Sequence, residues 1–300
     1  MNGIDQALGS TVRIGTPLLL AGLGELVLER AGMINIGIEG VMLCGAFGGF
    51  YAGWAWQSPL LGALAGAASG ALFMLLFAGM TLLARAEQIV TGMALNLLAA
   101  GITGTAYAAL VASNDGVSLD APRAAALFPS LVETPVLGAL LFSQTAITWA
   151  ALLLAALIWF YFEKTERGLE LRAVGENPAV AEGCGIRVRA ARLKACLSCG
   201  ALCGLGGAFL TVSQTGSFAP NCTGGRGFVA LAAVVLGRHG TLGTSAACFL
   251  FGAAFYARDA IGSGYLPSEL AEILPYALAL AVLCWRFKNR GAPAGLGKAW

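Results

Sequence analysis

The sequence predicts an all-α, polytopic membrane protein: a single transmembrane domain over residues 1–300 with about 8–10 membrane helices, some of them short or broken. Three observations carry this. Of the 300 residues, 58% are hydrophobic and only 11% charged, where a soluble domain carries roughly a quarter charged residues; mean hydropathy is +0.77. Uncharged runs extend from 40 to 84, 88 to 114, 134 to 162 and 195 to 225, each longer than the roughly 20 residues that cross a bilayer as a helix. No Pro-rich or low-complexity linker marks off a second, soluble unit.

In chain order the apolar segments are 11–28, 40–56, 60–84, 89–112, 145–162, 194–213, 225–237, 241–258 and 270–285. The N-terminal MNGIDQALGSTVRIG, which runs into the first, lacks the basic start and cleavage site of a signal peptide, so a retained span is expected. The second is preceded by ERAGMINIGIEG, where Glu29, Arg30, Asn35 and Glu39 interrupt an oily, glycine-containing stretch. The third and sixth carry small-residue ridges, Gly62, Gly66 and Gly70 on one and Gly200, Gly204 and Gly207 on the other. Such ridges let backbones approach where lipid offers no hydrophobic drive, and packing within the chain is expected of them. The seventh contains FVALAAVVLG, whose apolar body covers only about half of a ~30 Å hydrocarbon layer. Cys196, Cys199 and Cys203 share one helical face without the polar neighbours that orient metal ligands, so they read as small packing residues.

Orientation follows from Lys and Arg. The stretch 163–194 holds Lys164, Arg167, Arg172, Arg187, Arg189, Arg192 and Lys194, and Arg286, Lys288 and Arg290 follow the last span. The positive-inside rule puts both in the cytoplasm. The loop 113–144, with Asp115, Asp120 and Glu133 against Arg123, suits the outside. An even number of crossings must separate the two basic stretches, so the short 225–237 segment must cross as well, surrounded by protein rather than lipid. The same parity puts the N-terminus outside and residues 29–39 near the cytoplasmic side. Two segments are then broken, one in each half of the chain, a pattern that points to a transport site near the bilayer midplane.

Much chemistry is excluded. Net charge is +2, which gives no reason to expect nucleic acid. There is no phosphate loop: GLGK at 295–298 lacks its first glycine and the following hydroxyl. No HExxH or GxSxG is present, and the single histidine, His239, sits in GRHG as an expected turn residue. Glu25, Glu39 and Glu272 lie near segment ends, where snorkelling or capping accounts for them; an ion-coupled carrier would need deeper charges. A membrane enzyme would need clustered polar groups within its spans. In 163–194, ENPAVAEG reads as a helix start, with Asn177 as N-cap, Pro178 first in the helix, and Gly183 or Gly185 as stop. Such a helix either docks into another protein or simply connects two spans.

Three motifs resemble one family. ERAGMINIGIEGVMLCGA, RGLELRAVGENPAVAEGCGI and GRGFVALAAVVLG, with EQIVTGMALNLL at 87–98, look like ABC-importer permeases of the simple-sugar and nucleoside type, within the ribose and branched-chain amino-acid permease group. The similarity runs from about residue 14 to 285 and resembles the smaller of two paired permeases. The resemblance implies a multi-pass protein of the bacterial cytoplasmic (inner) membrane. Its implied partners are an ATP-binding-cassette ATPase, a second permease, an extracytoplasmic solute-binding protein and membrane lipid. No cofactor is implied for this chain, because ATP and Mg would be used by the ATPase.

Within 163–194 the resemblance implies a coupling helix, with Glu176, Asn177, Pro178, Ala181 and Gly185 matching the family pattern and the alanine face set in an ATPase cleft. The expected solute is a nucleoside, with a simple sugar such as ribose as the alternative. Asn35, Gly37, Glu39, Gly40, Asn96 and Phe218 are the expected pathway residues, with Gln88, Thr91, Ser217, Phe50 and Tyr107 as further candidates; helix–helix bonding and packing is the competing account of each. Glu39 is expected to act as a structural anchor beside the path.

Overall fold

The computed structural model describes residues 3–114, 119–127, 142–262 and 291–298, with isolated positions 273, 276, 277 and 284. The described chain is all α. Its helices are α1 (Gly3–Arg30), α2 (Ile38–Ala55), α3 (Pro59–Ala78), α4 (Gln88–Ala112), α5 (Ala146–Lys164), α6 (Glu166–Glu176), α7 (Pro178–Gly183), α8 (Val188–Ala208), α9 (Arg226–Leu236) and α10 (Thr241–Gly262). A π-helical turn prolongs α3 over Gly79–Leu83 and another prolongs α8 over Phe209–Thr215. Eight of the nine expected spans coincide with α1–α5 and α8–α10; the ninth, 270–285, and Glu272 with it, lies outside the described residues apart from the isolated positions. Five of the described helices are long and apolar enough to cross a membrane: 7–30, 59–83, 88–112, 146–164 and 188–215.

Local signals account for the boundaries. Ser58 caps α3 by accepting from the Leu61 N–H, and Pro59 opens the helix. Pro17 interrupts α1, and the carbonyl of Arg13 that it cannot serve accepts instead from Gln214 Nε2 at 3.2 Å. The stretch 163–194 holds two helices rather than the one expected, because Thr165 caps α6 through the Gly168 N–H before Asn177 caps α7.

Helix α8 is the centre of the bundle, against α1, α2 and α3. A Cβ placed on Gly70 would collide with the Gly200 carbonyl and stand 2.6 Å from Gly204 Cα; one on Gly66 would stand 2.8 Å from Gly45 O. The glycine ridges of α3 and α8 therefore face each other and α2, as packing within the chain. Cys196, Cys199 and Cys203 are fully buried on the α1 side of α8, with Cys203 Sγ 3.7 Å from the Ala21 carbonyl. α4 and α5 lie outside this core and expose Leu97, Val90, Leu153 and Phe160.

The two ends of the bundle are distinct. At one, the Ala121 N–H donates to the Gly216 carbonyl at 2.7 Å, and Gln144 Nε2 to the Gly9 carbonyl at 3.0 Å. At the other, α6 meets the end of α1, with α7 following it; the basic stretch lies here, and by the positive-inside rule this is named the cytoplasmic end. Gly204→Leu is expected to destabilise the protein by about 3 kcal/mol through overpacking, read as a lower unfolding temperature in detergent. Gly101→Ala, where an added Cβ meets nothing within 4 Å, serves as the neutral control.

Candidate functional site: two broken helices joined at Glu39

Residues 31–37 leave α1 at the cytoplasmic end and turn back into the bundle before α2 begins. Helical hydrogen bonding stops here, and side chains take over. The Asn35 N–H donates to Glu25 Oε1 at 2.9 Å, the Ile34 N–H to Gln88 Oε1 at 2.8 Å, and the Gly37 N–H to Asn35 Oδ1 at 2.8 Å. Asn96 closes the set: its Oδ1 accepts from the Gly40 N–H at 2.8 Å and its Nδ2 donates to the Ile36 carbonyl at 3.0 Å. Glu25 and Asn35 are fully buried. Neither Glu25 nor Glu39 snorkels; each bonds the backbone of a segment other than its own helix.

Glu39, in the first turn of α2, carries the longest-range of these contacts. Its Oε1 accepts from the Gly225 N–H at 2.7 Å and its Oε2 from the Gly227 N–H at 2.6 Å. Those amides open α9, which at 11 residues is about 16 Å long and reaches roughly halfway through a bilayer. The carboxylate therefore caps a half-helix at the positive end of its dipole. Gly225 reaches this position at φ +79, and a Cβ on Gly227 would stand 2.7 Å from the Glu39 backbone, so both glycines are required by the approach. The N-termini of the two broken elements meet here.

On the outer side of this junction, Phe218 is 2% exposed and packs with Phe47, Phe50 and Tyr107, ring centroids 5.1–6.1 Å apart. Ser217 is half-buried in the same turn. Next to Glu39, Arg226 donates through Nη1 to the Cys222 carbonyl at 3.2 Å and lies 5.8 Å from the Phe255 ring centre. Sequence reasoning passed over this arginine, although GGRGF sits in the broken segment and a charge at that depth is a signal in itself. At the inner end of α9, His239 Nε2 pairs with Glu29 Oε2 at 2.8 Å and the His239 carbonyl accepts from Arg30 Nε at 2.7 Å.

At the cytoplasmic end, Asn177 Oδ1 accepts from the Val180 N–H at 3.2 Å. Gly185 stops α7 at φ +85: its N–H donates to Glu182 O at 2.9 Å and the Ile186 N–H to Ala181 O at 3.1 Å, the two bonds of a Schellman motif. Glu176 Oε2 accepts from the Ala294 N–H at 3.0 Å. Ala181 does not face outward. It is 2% exposed and packs on Val174 and Val188, so the solvent face of α7 is Ala179, Val180 and Glu182. Beside it an open groove of about 580 Å³ is lined by Arg85, Glu182, Arg187 and Arg189.

Glu39→Ala leaves the buried Gly227 N–H unpaired, at about 1–3 kcal/mol, and the half-buried Gly225 N–H with it. We expect that variant to be less stable in a detergent melt and to lose uptake, whereas Glu39→Gln, which keeps one acceptor, lowers uptake about tenfold. Wild-type stability and uptake in both would mean that the carboxylate does not hold α9.

Comparison with known proteins places this geometry. Residues 8–283 match the profile of the branched-chain amino acid transport system permease component. The chain is 33% identical to the nucleoside ABC transporter permease NupC of Lactococcus lactis, over 99% of this chain and 97% of that one. Two guanosine permeases of Bacillus subtilis are also similar: NupQ at 34% identity over 96% of this chain and 94% of its own, and NupP at 28% over 91% and 80%. TsgC13 of Haloferax volcanii, a glucose ABC transporter permease by its assigned name, is 34% identical over 82% of this chain and 74% of its own. A solved metal-chelate type ABC transporter in an inward-facing conformation shares the fold at 17% identity, with a TM-score of 0.52 over 93% of this chain and 85% of that one. With its broken helices in both halves and its match over nearly the whole length, the chain belongs to the branched-chain amino acid transport system permease family and is a multi-pass protein of the bacterial cytoplasmic membrane.

Proposed function

We propose that the chain is the transmembrane subunit of an ATP-binding-cassette importer that carries nucleosides inward. The observation that carries this reading is similarity over nearly the full length to permeases named for nucleosides and guanosine. The junction agrees with a neutral, hydroxyl-rich solute: Glu39 is already bonded by two backbone amides, the neighbouring Arg226 donates to the Cys222 carbonyl, and an aromatic layer of Phe50, Tyr107 and Phe218 lies on the outer side. A simple sugar is the second reading, favoured by the similarity to TsgC13. Asn35, Gly37, Gly40 and Asn96 hold the backbone beside the path, and Phe218 belongs to the aromatic layer on its outer side.

The sequence carries no phosphate loop, so hydrolysis falls to a separate ATPase, which docks on the exposed face of α7 and the basic groove beside it. A second permease completes the transmembrane unit, a role that NupP and NupQ suggest by occurring together in Bacillus subtilis. An extracytoplasmic binding protein delivers the solute.

Uptake of labelled nucleoside, competed by unlabelled nucleosides and by ribose, tests the substrate. Competition by ribose alone would favour the sugar reading. Uptake that survives ATP depletion, in a protein that never retains an ATPase on solubilisation, would overturn the importer reading. Docking has its own variants. Val180, 60% exposed, becomes Val180→Asp, which is expected to reduce ATPase retention about tenfold, the size of a hot-spot loss, with the chain still inserted. Ala181→Arg buries a charge against Val174 and Val188 and is expected to lower the yield of folded protein instead.

A further inference from the structure

Beneath α7 lies a knot of backbone contacts that neither the expected pathway nor the expected docking helix accounts for. Its members come from four parts of the chain. Gly175, at the end of α6, sits so close to the end of α1 that an added Cβ would collide with the Arg30 carbonyl and stand 3.1 Å from the Gly32 amide. The segment 291–298 crosses both: the Gly295 N–H donates to the Gly175 carbonyl at 2.9 Å and the Gly297 N–H to the Gly32 carbonyl at 3.1 Å. The Glu176 carboxylate holds the Ala294 N–H in the same segment.

The fourth member is Arg192 of α8, 1% exposed. Its Nε donates to the Ala31 carbonyl at 3.2 Å and its Nη1 to the Lys298 carbonyl at 3.3 Å. Its Nη2 has no hydrogen-bond partner among the described residues and would lie 3.1 Å from a Cβ on Gly32. A buried arginine is costly unless its donors are used, and here two carbonyls from segments 267 positions apart in the chain, Ala31 and Lys298, share one guanidinium. Among the described residues, Arg192 is thus the side chain that grips both the turn 31–37 and the segment 291–298.

We infer that Arg192 and segment 291–298 are positioning elements for transport: they lock the docking segment α6–α7 to the turn 31–37, so that a displacement of α7 is delivered to Glu39 and α9. The inference rests on the importer reading above. The path is continuous. α7 follows Gly175 by two residues; Gly175 bears on Arg30 and Gly32; residues 31–37 lead into α2; and Glu39 holds the first turn of α9. The last residues of α1, just before this turn, hold the other end of α9, since Glu29 and Arg30 bond His239. Contacts between backbones leave little compliant side chain to absorb a shift, so the parts move as one body or break apart.

The test uses the whole importer, purified from membranes through a tag on this chain and reconstituted into liposomes. ATP hydrolysis and nucleoside uptake are measured in the same vesicles. Arg192→Gln and Gly295→Ala are the variants, the second chosen because it disturbs segment 291–298 at its contact with α6, where its Cβ would stand 2.6 Å from the Gly175 carbonyl, without touching α8. Both are expected to retain the ATPase and to hydrolyse ATP near the wild-type rate. Nucleoside moved per ATP is expected to fall about tenfold, within the usual range of coupling strengths. Arg192→Lys, which reaches one carbonyl, should recover part of the ratio.

A proportional fall of hydrolysis and uptake, with the ratio unchanged, would reduce the knot to a purely structural feature and overturn the inference. An unchanged ratio at full activity would do the same. Loss of the ATPase from the variants would make the segment part of the docking surface, overturning the relay while leaving the importer reading intact. Absence of an ATPase from the wild-type preparation would overturn both.

Discussion

A peptide group that leaves a helix inside a bilayer finds no water and must be bonded by protein. Everything distinctive in this structure answers that requirement at two places where helices break. At the first, Glu25, Asn35, Gln88 and Asn96 bond the backbone of residues 34–40. At the second, the backbone that opens α9 is bonded by Glu39 from the first. One carboxylate thus serves as the cap of a helix some 186 residues away in the chain, and the two breaks become one site. Removing water strengthens these bonds as much as it demands them, because the local dielectric is low.

The glycine ridges make that geometry possible. With α2, α3 and α8 in backbone contact through Gly45, Gly66, Gly70 and Gly204, the rigid part of the bundle sits directly beside the breaks and fixes where α2 begins. Short broken elements then need only a few polar contacts to hold a definite position.

The eight helices at the expected spans in the described part, the short helix within 225–237 and the caps of α7 were all legible in the sequence. Each rests on local information: charge bias, run length, or the chemistry of Asn-Pro and of a glycine at positive φ. What was not legible was which way things face. Ala181 belongs to an apparently solvent-facing ENPAVAEG, yet a helix of six residues has too little periodicity to choose its inner side, and the choice is made by Val174 and Val188. Glu25 and Glu39 lie near segment ends, where solvation is the natural expectation; only the return of residues 31–37 into the bundle encloses them. Arg192 fell within a basic stretch, and nothing local distinguishes it from its exposed neighbours Arg187 and Arg189.

By itself, then, the sequence determined that the chain crosses a membrane many times, which stretch gathers the basic residues, where two helices break and which family motifs it carries. Those properties depend on composition and on neighbours a few residues away. Only the tertiary structure decided that the breaks meet at Glu39, that Ala181 faces inward, and that Arg192 and residues 291–298 tie the end of α6 to the turn before α2. Apart from the packing of Ala181, which is local, these pairings join parts of the chain more than a hundred residues apart, and a hydrogen bond of that kind leaves no pattern in either of the segments it joins.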